Sequence, residues 1–154
     1  MNSFDRLIVL SMVLLAALLA PAVLAQDTGT PAVKPAIGGY SPVSYFTENN
    51  AELGSPEFSV EHDGRLYFLT SQEQVEIFAK NPDKYRPRHR SCPYSLAFGM
   101  VLPLDPTNFK IVGDSLLLFH LSDDNDGLKD WNTSQLSEEE LIRRADSNLF
   151  LITF

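Results

Sequence analysis

The sequence predicts an α+β fold, a small antiparallel sheet built from hairpins and packed against two or three helices. Three observations carry this expectation. Asp63-Gly64 lies between two alternating runs, and Gly113-Asp114 lies between two apolar runs, the two-residue spacing of tight hairpins. Thr70 or Ser71, with Glu73 or Gln74 three residues on, has the spacing of a helix capping box, and so does Ser137 with Glu140.

The beginning of the chain belongs to processing rather than to the fold. Leu7 to Ala20 is almost wholly apolar, Arg6 precedes it, Pro21 follows it, and Val23-Leu24-Ala25 offers small residues for cleavage before Gln26. Residues 1–25 are expected to be a secretory signal peptide, with an uncleaved anchor as the alternative because Asp5 weakens the basic start. The apolar run is shorter than the roughly 20 residues of a membrane span, so no stable span is expected after cleavage. Removing 25 of the 154 residues leaves 129, enough for one domain with its own core. Residues 26–36 are expected to be a flexible leader, rich in Thr, Pro and Gly without periodicity. Residues 37–154 are expected to form a single domain ending in a helix and a tail, in a periplasmic or secreted protein.

Within that domain, Ile37 to Phe46 mixes Gly-Gly and Ser-Pro breakers with aromatic residues, as in a loop that enters a short helical turn or strand. Asn49 to Pro56 is turn-like. The Asp63-Gly64 turn then sets His62 against Arg65, Val60 against Tyr67 and Phe58 against Leu69, so that Phe58, Val60, Tyr67 and Leu69 share one face directed into the core. Val75, Ile77 and Phe78 give the following helix its apolar side, and Asn81-Pro82 stops it. In the second hairpin, Gly113 at the first central position suits a type II′ turn. Ser115 to Phe119 is apolar enough for a central strand. Leu121 to Thr133 is acidic and turn-rich around Trp131. A helix is expected from Ser137 through Asp146, and Leu149 to Phe154 is expected as a strand-like tail.

The net charge of −8 argues against nucleic acid as a partner. Catalytic constellations are missing: there is no glycine-rich phosphate loop, nucleophile elbow or helix-borne His pair with an intervening Glu. The single cysteine, Cys92, excludes an intramolecular disulfide. Cys92 and His89, three positions apart, form a soft-ligand pair suited to copper or zinc, or the thiolate to haem iron. The same residues also suit a packed thiol beside a surface histidine, which is the simpler reading. His62 and His120 sit at hairpin ends. Lys80, Lys84, Arg86, Arg88 and Arg90 make a basic run in an acidic chain. It is suited to an anion, an acidic partner or haem propionates, or to pairing with Asp123, Asp124 and Asp126.

These segments together resemble the YHS domain family, in the exported type found in bacteria. The likeness rests on GYSPVSYF at Gly39 to Phe46, GSPEFSVEHDGRLYFLTS at Gly54 to Ser71, and FAKNPDKYRP at Phe78 to Pro87. It extends through DPTNFKIVGDSLLLF at Asp105 to Phe119, Trp131 and RRADSN at Arg143 to Asn148. Short members of that family are related to domains that bind metal through cysteines. The corresponding positions here are Ser44, Thr70 and Gln74, none of which replaces a thiolate. Exported members often carry a Gly-Gly-aromatic-Cys segment followed by an aromatic residue. RHRSCPY keeps Cys92 and Tyr94 of that pattern, so the resemblance implies Cys92 and Tyr94 as cofactor-binding residues. The function expected is a non-enzymatic exported binding protein for a metal ion, a small ligand or haem, using Cys92 and His89 as metal ligands. The alternative is a cofactor-free interaction module contacting another protein of the cell envelope, and a redox or hydrolytic enzyme ranks third.

Overall fold

The computed structural model describes residues 34–153, so the expected signal peptide and most of the expected leader lie outside the described residues. Among these residues there are two antiparallel sheets of two strands each, with helices around them, an α+β architecture. The chain enters through a tight turn, Ala36–Gly39, and a helical turn α1 (Ser44–Thr47). Strands β1 (Ser55–His62) and β2 (Arg65–Leu69) form the first hairpin. Helix α2 (Gln72–Lys80) follows, then α3 (Pro82–Tyr85) and α4 (Pro93–Ala97). Strands β3 (Phe109–Val112) and β4 (Ser115–Leu118) form the second hairpin, and helices α5 (Gly127–Thr133) and α6 (Glu138–Thr153) complete the order. No helix among the described residues is long and apolar enough to cross a membrane.

The first hairpin turns as its sequence predicts. Asp63 and Gly64 have φ of 49° and 66°, both positive as a type I′ turn requires, and His62 faces Arg65 and Val60 faces Tyr67. The expected Phe58–Leu69 pair does not form. Leu69 faces Ser55, and residues 56–58 interrupt the register. Pro56 has no N–H to give to the ladder. Gly54 lies so close to β2 that a Cβ on it would stand 2.5 Å from the carbonyl carbon of Phe68. Phe58, Val60, Tyr67 and Leu69 nevertheless pack into one cluster with Val43 and Phe78.

The second hairpin forms its own sheet rather than extending the first. Gly113 has φ 58°, as the first central residue of a type II′ turn does. Strand β4 was expected to be central, and it pairs with β3 alone along its length. Its other contact is a single bridge from Pro87 to Leu116, with the Arg88 N–H donating to the Leu116 carbonyl at 3.0 Å. The strand is buried on both faces all the same. Leu116 and Leu118 join Tyr45 in one cluster, while Leu117 and Phe119 join Cys92, Leu96, Trp131, Leu141 and Ala145 in another.

Besides the one-turn helix α3 that begins at the expected Asn81-Pro82 stop, two helical segments were not expected as helices. Pro93 opens α4 at a first-turn position where its missing N–H costs nothing. Asp126 caps α5, its carboxylate accepting the N–H groups of Leu128 and Lys129 at 3.1 Å. A third difference corrects the strand-like tail. Helix α6 continues past Asp146 to Thr153, because Leu141, Ala145 and Leu149 recur every fourth residue and keep packing on the same cluster. At its start, Ser137 Oγ accepts the Glu140 N–H at 3.2 Å, but the Glu140 carboxylate turns to Arg143 and Arg144. Those guanidiniums hold its carboxyl down at about 2.

Candidate functional site

The residues singled out from the sequence fall into three environments. Cys92 is fully buried, enclosed by Leu96, Leu117, Phe119, Trp131, Leu141 and Ala145. A Cβ added to Gly127 would stand 2.8 Å from its sulfur, so the helix α5 backbone closes that side of the thiol. Tyr94 packs against the same cluster and meets Phe98 edge-on, ring centroids 5.1 Å apart. These are packing positions. Among the described residues, no group of three or more His, Cys, Asp or Glu at ligand spacing includes Cys92 or His89.

The second environment unites Ser44, Thr70 and Gln74, the positions where the resemblance leads one to look for cysteines. Gln74 projects from the first turn of α2 into the junction with α1. Its Nε2 donates to Ser44 Oγ at 2.9 Å, and its Oε1 accepts from Ser41 Oγ at 2.6 Å and from the Thr70 N–H at 3.2 Å. Ser71 Oγ caps the helix by accepting the Gln74 N–H at 3.3 Å. Ser41, Ser44 and Gln74 are all buried, so the cluster is a closed, neutral hydrogen-bond network.

The third environment is an open cleft of about 620 Å³. Residues 86–90 form one wall and residues 34–38 together with β2 form another. Its lining carries the charges of Lys34, Arg65, Arg86, Arg88 and Arg90, with Asp63 as its one carboxylate, and an apolar share from Ile37, Leu104 and Pro106. Backbone strain marks its edge. Ile37 has φ 55°, a left-handed conformation that is unfavourable for a β-branched residue. Ile37 is kept there by packing into two core clusters at once.

The basic residues do not pair with Asp123, Asp124 or Asp126. Arg86 Nε holds Asp83 at 2.6 Å. Arg88 makes a two-pronged pair with Asp146, Nε to Oδ1 at 3.1 Å and Nη2 to Oδ2 at 2.8 Å, and donates from Nη1 to Ser115. Lys34, Arg65 and Arg90 make no ion pair among the described residues. Burial pushes the Tyr67 phenol upward, and the Arg65 and Arg86 charges partly oppose this.

His89 joins this cleft from beneath. Its side chain is 1% exposed, and Nε2 lies 2.8 Å from Asp146 Oδ1. The Arg88 guanidinium keeps the Asp146 carboxyl below its usual range, so the carboxylate accepts and the imidazole Nε2 carries the hydrogen. Nδ1 is then a buried acceptor with no partner. Desolvation lowers the imidazole's proton affinity below the ordinary 6.5, and Asp146 offsets part of this. The unfolded chain therefore takes up a proton at higher pH than the folded chain, so stability falls as pH drops through the ordinary histidine range. Asp146 adds a loss of the same sign at lower pH, where its carboxyl protonates. The melting temperature is expected to fall between pH 7 and pH 5, with His89 contributing at most about 1.4 kcal/mol per pH unit. His89→Gln should flatten that window, and a wild-type melting temperature that stays level across it would contradict this account.

Sequence reasoning found the basic run but not its partners, since Arg65 reaches the cleft from the hairpin and Asp146 from a helix 57 residues beyond His89. No family model, curated protein or solved structure matches the chain.

Proposed function

We propose that this chain is a non-enzymatic exported binding protein, of the YHS type it resembles, and that its ligand is a small organic anion held in the arginine-lined cleft. One observation carries this reading: five cationic side chains line about 620 Å³ in a chain of net charge −8. Cavities of this size suit small molecules. A local excess of positive charge raises the concentration of anions. Arg65, Arg90 and Lys34 make no ion pair among the described residues, and guanidinium groups take carboxylate or phosphate in paired hydrogen bonds. Ile37, Leu104 and Pro106 suit an apolar body on the same ligand. Haem, with an apolar ring and two propionates, belongs to this class. A metal ion on Cys92 and His89 has less support, because the thiol is enclosed by apolar side chains and His89 Nε2 already serves Asp146.

The test is titration of the full chain with protoporphyrin IX and, separately, with citrate, by calorimetry at low and high salt. Arg65→Gln/Arg90→Gln should bind at least about tenfold more weakly, since hydrogen bonds to charged groups contribute about 1.5–3 kcal/mol each. Salt should weaken wild-type binding. Failure of both probes, or an unaltered double variant, would sink the reading. A second reading, the cofactor-free interaction module, draws on Phe98, Met100 and Val101, 47%, 53% and 59% exposed just after α4.

A further inference from the structure

We infer that His62, Asp63 and Asp83 form a binding site for a divalent cation of the zinc class, separate from the residues that the sequence marks for metal. One ligand atom from each of the three lies within 4.8 Å of the other two. His62 Nε2 stands 3.6 Å from Asp63 Oδ2 and 3.6 Å from Asp83 Oδ1. Both distances exceed a hydrogen bond, and Nε2 is buried without any hydrogen-bond partner. The two carboxylates stand within ion-pair range of the ring atom but beyond a good hydrogen bond, and the side chain is 23% exposed, so a cation can reach the gap between the three groups. An imidazole nitrogen and two carboxylate oxygens are a ligand set that zinc accepts. Bonds of about 2.0–2.2 Å place neighbouring ligands of a tetrahedral centre roughly 3.4 Å apart, close to the separations seen here.

The fold fixes each member independently. His62 ends β1, its ring edge-on to the fully buried Phe78 with centroids 6.3 Å apart. Asp63 is the first central residue of the type I′ turn, with φ 49°. Asp83 lies in the first turn of α3, where Pro82 sets the helical backbone. Arg86 Nε holds the Asp83 Oδ1 at 2.6 Å, which keeps that carboxyl below its usual range and therefore ready to bind metal as the anion. It also competes for one oxygen, leaving the ion to share Oδ1 or to take Oδ2. Three protein ligands leave a position open to water or to an anionic group. Asp63 also lines the basic cleft, so that position borders it.

The experiment is equilibrium dialysis of the chelator-treated full chain against Zn(II) at pH 7, alongside His62→Gln, Asp63→Asn and Asp83→Asn. Asn tolerates the left-handed backbone of the turn, so Asp63→Asn removes a ligand charge and keeps the hairpin, as a melting curve will verify. A single equivalent bound by the wild type is expected. Affinity should fall tenfold or more in each variant, because even outer partners of a metal site change affinity by about 10–100-fold. Histidine ring-nitrogen signals should show the ion on His62 rather than on His89 or His120. A folded wild type that binds no stoichiometric Zn(II), or binding undiminished in His62→Gln and Asp63→Asn, would overturn the proposal.

Discussion

Gln74→Leu is expected to lower folding stability by about 3–5 kcal/mol, read as a shift in the urea midpoint with the slope unchanged. The side chain satisfies three partners at once: the hydroxyls of Ser41 and Ser44, and the Thr70 N–H. Leucine fills a similar volume, so the cost is not a cavity. It is the desolvation left behind when buried polar groups lose their partners, about 1–3 kcal/mol for each group. Ser41→Ala and Ser44→Ala, added to Gln74→Leu, remove the stranded hydroxyls and should recover much of the loss, leaving the Thr70 N–H as the residual defect. If the triple variant is no better than Gln74→Leu alone, the network does not have the role assigned to it. A thiolate site at these positions would have needed an ion to hold its charges together, whereas the amide and hydroxyls here balance donors against acceptors without one.

Gly54→Ala should cost about 3 kcal/mol, at the upper end of what overpacking inflicts. A Cβ at this position would meet Phe68 C at 2.5 Å, Phe68 O at 2.6 Å and Leu69 N at 2.8 Å. All three are backbone atoms of β2, so no side-chain rotation relieves the clash. The chain can respond only by opening the hairpin end where Ser55 meets Leu69. Gly64→Ala is the control: nothing lies within 4 Å of its added Cβ, and its penalty is confined to the positive φ of 66°. Thermal melts that rank the two variants equally would show that the close approach at Gly54 is not what governs the site.

The hairpin turns, the Ser71 cap and the stop at Asn81 were legible because each is a local signal, written within four residues. Elements decided by distant contacts were not. Asp126-Gly127 looks like another turn until Leu128 and Trp131 are seen to face the Cys92 cluster, which makes the aspartate a helix cap. The tail after Asp146 looks strand-like by composition, and only its packing on α4 holds it helical. The register slip at residues 56–58 coincides with Pro56, which the sequence shows, and with the close seat of Gly54 against β2, which it does not. The cleft follows the same rule. The clustering of Arg86, Arg88 and Arg90 is visible in one dimension, but the arrival of Arg65 and Lys34 opposite them is not. Asp83 and Asp63 look like an ordinary turn and helix start until the hairpin brings His62 between them.

The clasp of Asp146 on Arg88 and His89 also sets an order of events. Its partners are separated by 57 and 58 positions, and the aspartate lies within the last helix of the chain. While the protein emerges N-terminus first from a ribosome, residues 86–90 are exposed long before their anchor. Over that interval the wall is an unfastened basic strip, free to meet any passing polyanion. Only once Asp146 has emerged can α6 fasten Arg88 and His89. The ordering of Arg88 and His89 is therefore tied to the arrival of α6, and a truncation just before Asp146 would leave the cleft arginines in place without the clasp that orients Arg88.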